Sequence, residues 1–208
     1  METAVSSNRM PTLVTEAPNR PSPPAPPRKR WTRDDCVLLD AVGAFGKLEL
    51  IDGELIDKMG KLRPHQIVLV LIDEWLGRVF GNLFISTETP IDVSPEDNHT
   101  SEPEPDAVVL SRPATEFPVD NPKPSELRLV VEVSDSSLHF DLTTKASLYA
   151  RAGIVEYWVL DVSARRCVVH RNPRAGRYTS IVAYSTGEEV APLAAPDRLL
   201  SVASVFPL

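Results

Sequence analysis

The stretch from Leu127 to Asp161, LRLVVEVSDSSLHFDLTTKASLYARAGIVEYWVLD, constrains the fold more than any other part of the chain. Its first seven residues alternate, with Leu127, Leu129, Val131 and Val133 on one face and Arg128, Val130 and Glu132 on the other. A polar loop follows, and then a helix is expected over Asp141–Ala152. Leu142, Leu148, Tyr149 and Ala152 fill its inner side, and Gly153 closes it as a left-handed cap. Tyr157–Leu160 is a second apolar strand. Buried strands joined by a helical crossover run parallel, which places the chain among α/β folds with helices against a mixed sheet.

The remaining segments supply the rest of that sheet and its cover. Thr32 is a good N-cap for a helix over Trp31–Val42, with Asp34 and Asp35 in the first turn and Val37, Leu38, Ala41 and Val42 at helical spacing. The run KLELIDGELID reads as a β-hairpin, because Asp52-Gly53 suits a two-residue turn of positive φ. Leu48, Leu50, Leu55 and Ile56 are its expected buried positions, and Glu49 and Glu54 lie on its strands. Pro64 starts a second helix whose apolar residues, Ile67 through Val79, form a wide face suited to packing on a sheet. Leu83–Thr87 and Asp106–Leu110 read as strands, and the proline-bearing segment Arg112–Ser125 as a loop. Cys167–His170 and Tyr178–Val182 form a C-terminal hairpin, and Leu199–Phe206 a last short element.

Composition bounds the partners and the compartment. The 208 residues suffice for one domain of ordinary size, residues 31–208, behind a proline-rich tail, residues 1–30, expected to be disordered. Arg28, Lys29 and Arg30 end that tail and read as a solubilising run or as an arm that touches nucleic acid. A net charge of −7 argues against general coating of nucleic acid and leaves room for a local basic groove. Two cysteines, Cys36 and Cys167, form no metal-ligand spacing and read as buried thiols of a reducing cytoplasm. No apolar run is long enough to span a bilayer, and the N-terminus shows no secretory signal pattern.

The chemistry concentrates in two acids and a lysine. A carboxylate inside LVVEV is costly to bury alone and requires either a cation or a salt bridge, for instance to Arg128 or Lys145. Asp106 opens PEPDAVVL, and adjacent strands would bring it near Glu132, where hard oxygen donors suit Mg²⁺ or Mn²⁺. Lys145 lies four residues after Asp141 on the same helical face. It is either an ordinary surface pair or an ammonium aimed at the carboxylates. Glu54 on the hairpin and His65 in the first turn of the second helix are further candidates, although such residues are more often solvated.

Together ELIDGEL, a His at the start of the next helix, PEPDAVVL and VVEVSDSSLHFDLTTKASLYARAGIVEYWVLD resemble the Uma-two family, restriction-endonuclease-like proteins of the PD-(D/E)XK superfamily. The resemblance runs from about Trp31 to Phe206. It implies Asp106 and Glu132 as metal ligands, Lys145 as the third catalytic element displaced onto the helix, Glu54 as an additional acid, and His65 as the helix-start histidine. Thr143 and Thr144 stand where the family often has Arg and Gly, and Val155 where it usually has Pro.

The expected protein is thus a restriction-endonuclease-like α/β domain, a mixed sheet flanked by helices with N-terminal and C-terminal hairpins. Its expected activity is Mg²⁺-dependent endonuclease cleavage of nucleic acid, DNA first. A homodimer is expected, since cleaving two strands symmetrically calls for two sites. A catalytically inactive nucleic-acid- or protein-binding module of the same fold is the alternative. A glycosidase built on the two acids is disfavoured by an aromatic content of only 6%.

Overall fold

The computed structural model describes residues 28–43, 48–58, 62–117 and 119–206. The expected tail lies outside the described residues except for Arg28, Lys29 and Arg30. Its centre is a six-stranded mixed sheet in the order β3-β4-β5-β6-β7-β8. These strands are β3 (Ile85–Thr87), β4 (Ala107–Leu110), β5 (Leu127–Ser134), β6 (Glu156–Asp161), β7 (Arg166–Arg174) and β8 (Arg177–Ser185). β5 and β6 pair in parallel, with Glu132 opposite Val159, and every other neighbouring pair is antiparallel. The crossover between them is a helix over residues 138–151, here α3.

β5 and β6 are buried on both faces because a helix covers each side. On one face, Val68, Ile72 and Leu76 of α2 (Arg63–Phe80) pack on Val109, Leu129, Val131 and Trp158. The C-terminal residues Val202, Val205 and Phe206 complete that layer, tied on by β9 (Glu189–Val190) pairing with β10 (Leu200–Ser201). On the other face, Ala146, Tyr149 and Ala150 of α3 pack on Val108, Val130, Tyr157 and Val159. Glu132 shares the parity of Val130 and so projects to the α3 side.

The N-terminal hairpin forms as its turn residues dictate. β1 (Leu48–Ile51) and β2 (Glu54–Asp57) are joined by Asp52 at φ 48° and Gly53 at φ 78°. The hairpin stands apart from the main sheet and is bridged, through Leu50 and Glu102, to the irregular segment that precedes β4. The C-terminal hairpin turns on Ala175 and Gly176 alone, a tighter turn than expected. β7 can include Pro173 because β6 ends opposite Arg171, so no ladder bond is asked of the missing N–H.

α1 (Arg33–Ala41) departs from its expected burial. Thr32 caps it in a capping box with Asp35, yet Val37, Leu38 and Val42 are exposed and no residue of the helix is buried. Its anchor is polar: the Arg33 guanidinium donates to the Ser101 carbonyl, Asp92 and Asn98 at 2.8 to 3.2 Å. The polar segment around Ile91 and Val93 forms no strand, but both side chains are wholly buried and give it an apolar footing.

Candidate active site

A cleft of about 360 Å³ opens where the hairpin, the start of α2, the end of β5 and the start of α3 meet. Its lining includes Glu49, His65, Asp106, Glu132, Asp141 and Lys145. Each is at least nine-tenths buried. Asp106, Glu132 and Lys145 therefore converge in one cleft, with Asp141 and His65 beside them.

Each acid is held for a local reason. β4 starts at Ala107, so the N–H of Val133 has run past its strand partner; the Asp106 Oδ2 accepts it at 2.7 Å. The same oxygen lies 3.4 Å from His65 Nε2, which α2 carries on the buried line of Val68, Ile72 and Leu76. Glu132 projects from the most buried strand, and its Oε1 accepts the Lys145 ammonium at 2.8 Å and the Tyr149 hydroxyl at 3.0 Å. Asp141 accepts the hydroxyls of Ser134 at 2.7 Å and Ser137 at 2.6 Å.

The helix is shaped for this purpose. Residues Leu138–Phe140 and Ala146–Arg151 are α-helical, but Asp141–Lys145 between them form a π-helical turn. The wider turn directs both Asp141 and Lys145 inward, and such turns recur at functional sites.

Two expectations change here. Glu54 does not line the cleft: it sits beside the hairpin turn, exposed, 3.9 Å from Arg28. Glu49, on the other strand, occupies the cleft instead, 2.9 Å from Lys145, with its Oε1 accepting the N–H of Glu104 at 2.8 Å. Cross-strand pairing places Glu49 opposite Ile56, two rungs inward from the turn, where the hairpin closes on the sheet. The salt-bridge reading of Glu132 also holds, through Lys145; Arg128 is exposed and donates to the Ser111 carbonyl. Tyr149, expected only as core, adds a hydroxyl to the site; its spacing four residues after Lys145 was the available signal.

Electrostatically the cleft is short of positive charge. Glu49, Asp106, Glu132 and Asp141 surround the buried ammonium of Lys145; Lys58, which also lines the cleft, is paired with Glu104, and Asp57 and Asp135 add further acids. Burial pushes the Glu132 carboxyl up to about 8, against the pull of Lys145, with Asp106, Asp141 and Glu49 adding to the rise. Burial also raises Asp141, and the surrounding carboxylates hold Lys145 above its ordinary value despite its own burial. Glu156, equally buried, shows the contrast: Arg171, the Trp158 indole N–H and the Leu193 N–H satisfy it fully, so it serves the fold.

The donor set fits a hard divalent cation of the Mg²⁺ type, which binds through one or two carboxylates and retains water. Asp106 and Glu132 could supply such carboxylates. Among the described residues no group of three or more His, Cys, Asp or Glu side chains is arranged as a metal cluster, so protein ligands alone would not complete a shell.

Comparison with known proteins agrees with this architecture. Residues 38–203 match the model of the Uma2 family, described as "Putative restriction endonuclease". The fold is similar to the crystal structure of a "putative nuclease belonging to DUF820" from Anabaena variabilis ATCC 29413, with TM-score 0.62 and 15% identity over 81% of this chain and 96% of that one. No curated protein matches.

Proposed function

We propose that this chain, which belongs to the Uma2 family of restriction-endonuclease-like proteins, is a Mg²⁺- or Mn²⁺-dependent endonuclease that hydrolyses nucleic-acid phosphodiester bonds, those of DNA first. The carrying observation is the deficit of positive charge in the cleft, where buried Glu49, Asp106, Glu132 and Asp141 share one lysine. Asp106 and Glu132 would hold the cation. When bound, it supplies Lewis acidity toward the phosphoryl group and the attacking water.

The chain's own groups do the rest. Lys145 and Tyr149 both bond Oε1 of Glu132, which fixes the carboxylate and leaves Oε2 as its ligand oxygen. Lys145 donates to Glu132 and is ion-paired with Glu49; a remaining N–H can orient the attacking water or neutralise charge developing at phosphorus. His65 and the Val133 N–H hold Asp106 in place, and Ser134 and Ser137 do the same for Asp141. Glu54 has no part in this scheme.

Two copies would cut two strands, and β8 offers a meeting surface: it is a sheet edge on which Ile181 and Val182 are exposed. Sedimentation showing only monomer across the micromolar range would exclude that dimer. Free Cys36 and Cys167 suit a reducing cytoplasm, and no described helix is long and apolar enough to cross a membrane. The deciding experiment is plasmid nicking with Mg²⁺ by wild type and Glu132→Ala, with EDTA as control. Cleavage lost in EDTA and in the variant supports the nuclease; no cleavage and no metal binding by the wild type assigns the chain to a binding module of the same fold.

A further inference from the structure

The cleft that should receive a phosphodiester is lined by acids, and the chain carries −7 overall. A polyanion is therefore repelled unless positive charge grips it outside the cleft. One part of the surface concentrates arginine. Arg174 and Arg177 face each other as the last rung of the β7–β8 hairpin, before the turn at Ala175 and Gly176. Both are exposed. Like charges directly opposed across strands destabilise the pair, so this rung is costly unless an anion lies over it.

The neighbouring side chains build on that rung. Arg151 of α3 lies against Gly176 so closely that an added Cβ there would sit 3.1 Å from its Cγ. Ser147 approaches the Gly176 carbonyl at 3.5 Å and accepts from Arg151 at 3.2 Å, so helix and turn are docked. Arg151 in turn pairs with Asp52 at 2.6 Å and Asp97 at 3.0 Å. Arg30 donates to the Asp52 carbonyl at 3.1 Å, and the Trp31 N–H donates to Gly53 at 2.8 Å, which fastens the arm Arg28, Lys29 and Arg30 over the hairpin turn. Asp52, Asp97 and Glu54 offset part of this charge; Arg174 and Arg177 face no carboxylate within ion-pair distance among the described residues.

Two elements lead from the cleft to this cluster. Lys145 and Arg151 are six residues apart on α3, about 9 Å at the helical rise. Glu49 and Asp52 are three residues apart on the hairpin, about 10 Å. Either span equals about three nucleotide steps of a B-form strand. We propose that Arg174 and Arg177, lying beyond Arg151 and Arg30, form the surface that grips the substrate's phosphate backbone about three or more nucleotides from the bond in the cleft. This rests on the nuclease reading and assigns its substrate contact.

The test uses full-length protein in EDTA with a fluorescein-labelled 20-base-pair DNA duplex and an RNA duplex of the same sequence, read by anisotropy across a salt series. Arg174→Ala/Arg177→Ala should weaken binding of the preferred duplex by about tenfold per lost contact at 0.1 M salt and reduce the salt slope by about 1 to 2. Arg174→Lys/Arg177→Lys should keep the slope, and Arg78→Ala, on a distant face of α2 and paired with Glu74, should change neither quantity. Melting of the alanine variant should be no lower than wild type, because the opposed charges are gone. If the wild type binds and nicks while the alanine variant binds equally well, this surface is overturned and the nuclease reading stands. If the wild type binds neither duplex and does not nick, both are overturned.

Discussion

Lys145→Met tests whether one ammonium balances the cleft. Its Nζ lies 2.8 Å from Glu132 and 2.9 Å from Glu49, and all three residues are buried. At an effective dielectric of about 20 each contact attracts by about 6 kcal/mol, most of which is offset by the cost of desolvating the ions. Removing one partner of such a network costs about 3–5 kcal/mol, because the carboxylates stay buried without a counter-charge. For a domain of this size that is a melting shift on the order of 10 °C at pH 9 in EDTA. The sign with pH follows from Glu132. Its carboxyl rises from 4.5 to about 8 on folding, so its contribution to stability is full below 4.5 and is lost as pH rises through about 8. Lys145 opposes that rise, and without it ionising Glu132 in the fold costs more. The deficit of Lys145→Met should therefore be steady below about pH 7 and widen as pH rises through about 8, where Glu132 ionises beside Lys145 in the wild type but not in the variant, and Glu132→Gln in the same chain should remove that widening. Thermal melts of the single and double variants at pH 6.5 and pH 9 check this. A deficit that is the same at both pH values, or a Lys145→Met protein that melts with the wild type, would refute the reasoning. Cleavage should be lost in Lys145→Met while Mg²⁺ binding stays measurable by calorimetry.

Glu132→Gln should weaken Mg²⁺ binding and cleavage together, since an amide oxygen is a poorer ligand. In the wild type Mg²⁺ affinity should climb as pH approaches 8, because Glu132 must shed its proton, and calorimetry should find that climb missing in the variant. Gly53→Ala should cost about 1 kcal/mol or more in denaturant melts: φ is +78°, and the new Cβ would lie 2.9 Å from Arg30 Nε and 3.0 Å from Arg30 Cβ.

The fold was legible where burial and turn chemistry agreed. The parity of β5 placed Glu132 on the face opposite Val131 and Val133, and Gly153 at φ 75° ends α3 as its residue type demands. The capped start of α1 was legible too, but not its exposed stripe, because apolar spacing names a face and not what covers it. Hydrogen bonds of Arg33 to Asp92, Asn98 and Ser101, about 60 residues away, decide which side of α1 turns inward, and no local pattern encodes them. His65 shows the same effect in reverse. A histidine in a first helical turn is usually solvated; here it begins the buried line of α2 because the helix enters over the cleft.

The choice between Glu49 and Glu54 isolates what a sequence leaves open about such a site. Both are acids on one hairpin, and each faces an aliphatic residue across the ladder, Ile56 and Ile51 respectively. Local burial patterns therefore cannot separate them. The separation comes from the way the hairpin docks: Leu50 bridges to Glu102, and the Asp52 N–H is taken by the Ser101 hydroxyl at 3.0 Å. These bonds hold the turn at the Asp92–Ser101 side and push the open end of the hairpin, with Glu49, toward Lys145. The π-helical turn does the matching work on α3, bringing Lys145 to the same point from the other side. A carboxylate carried by the hairpin and an ammonium carried by the crossover thus meet 2.9 Å apart only in the assembled domain. The site should consequently be lost when the hairpin is undocked, even with β5 and α3 intact. Ser101→Val, which removes the hydroxyl that anchors Asp52, should lower Mg²⁺ affinity from a position outside the cleft; unchanged affinity in a folded Ser101→Val protein would show that the hairpin is not needed to set the site.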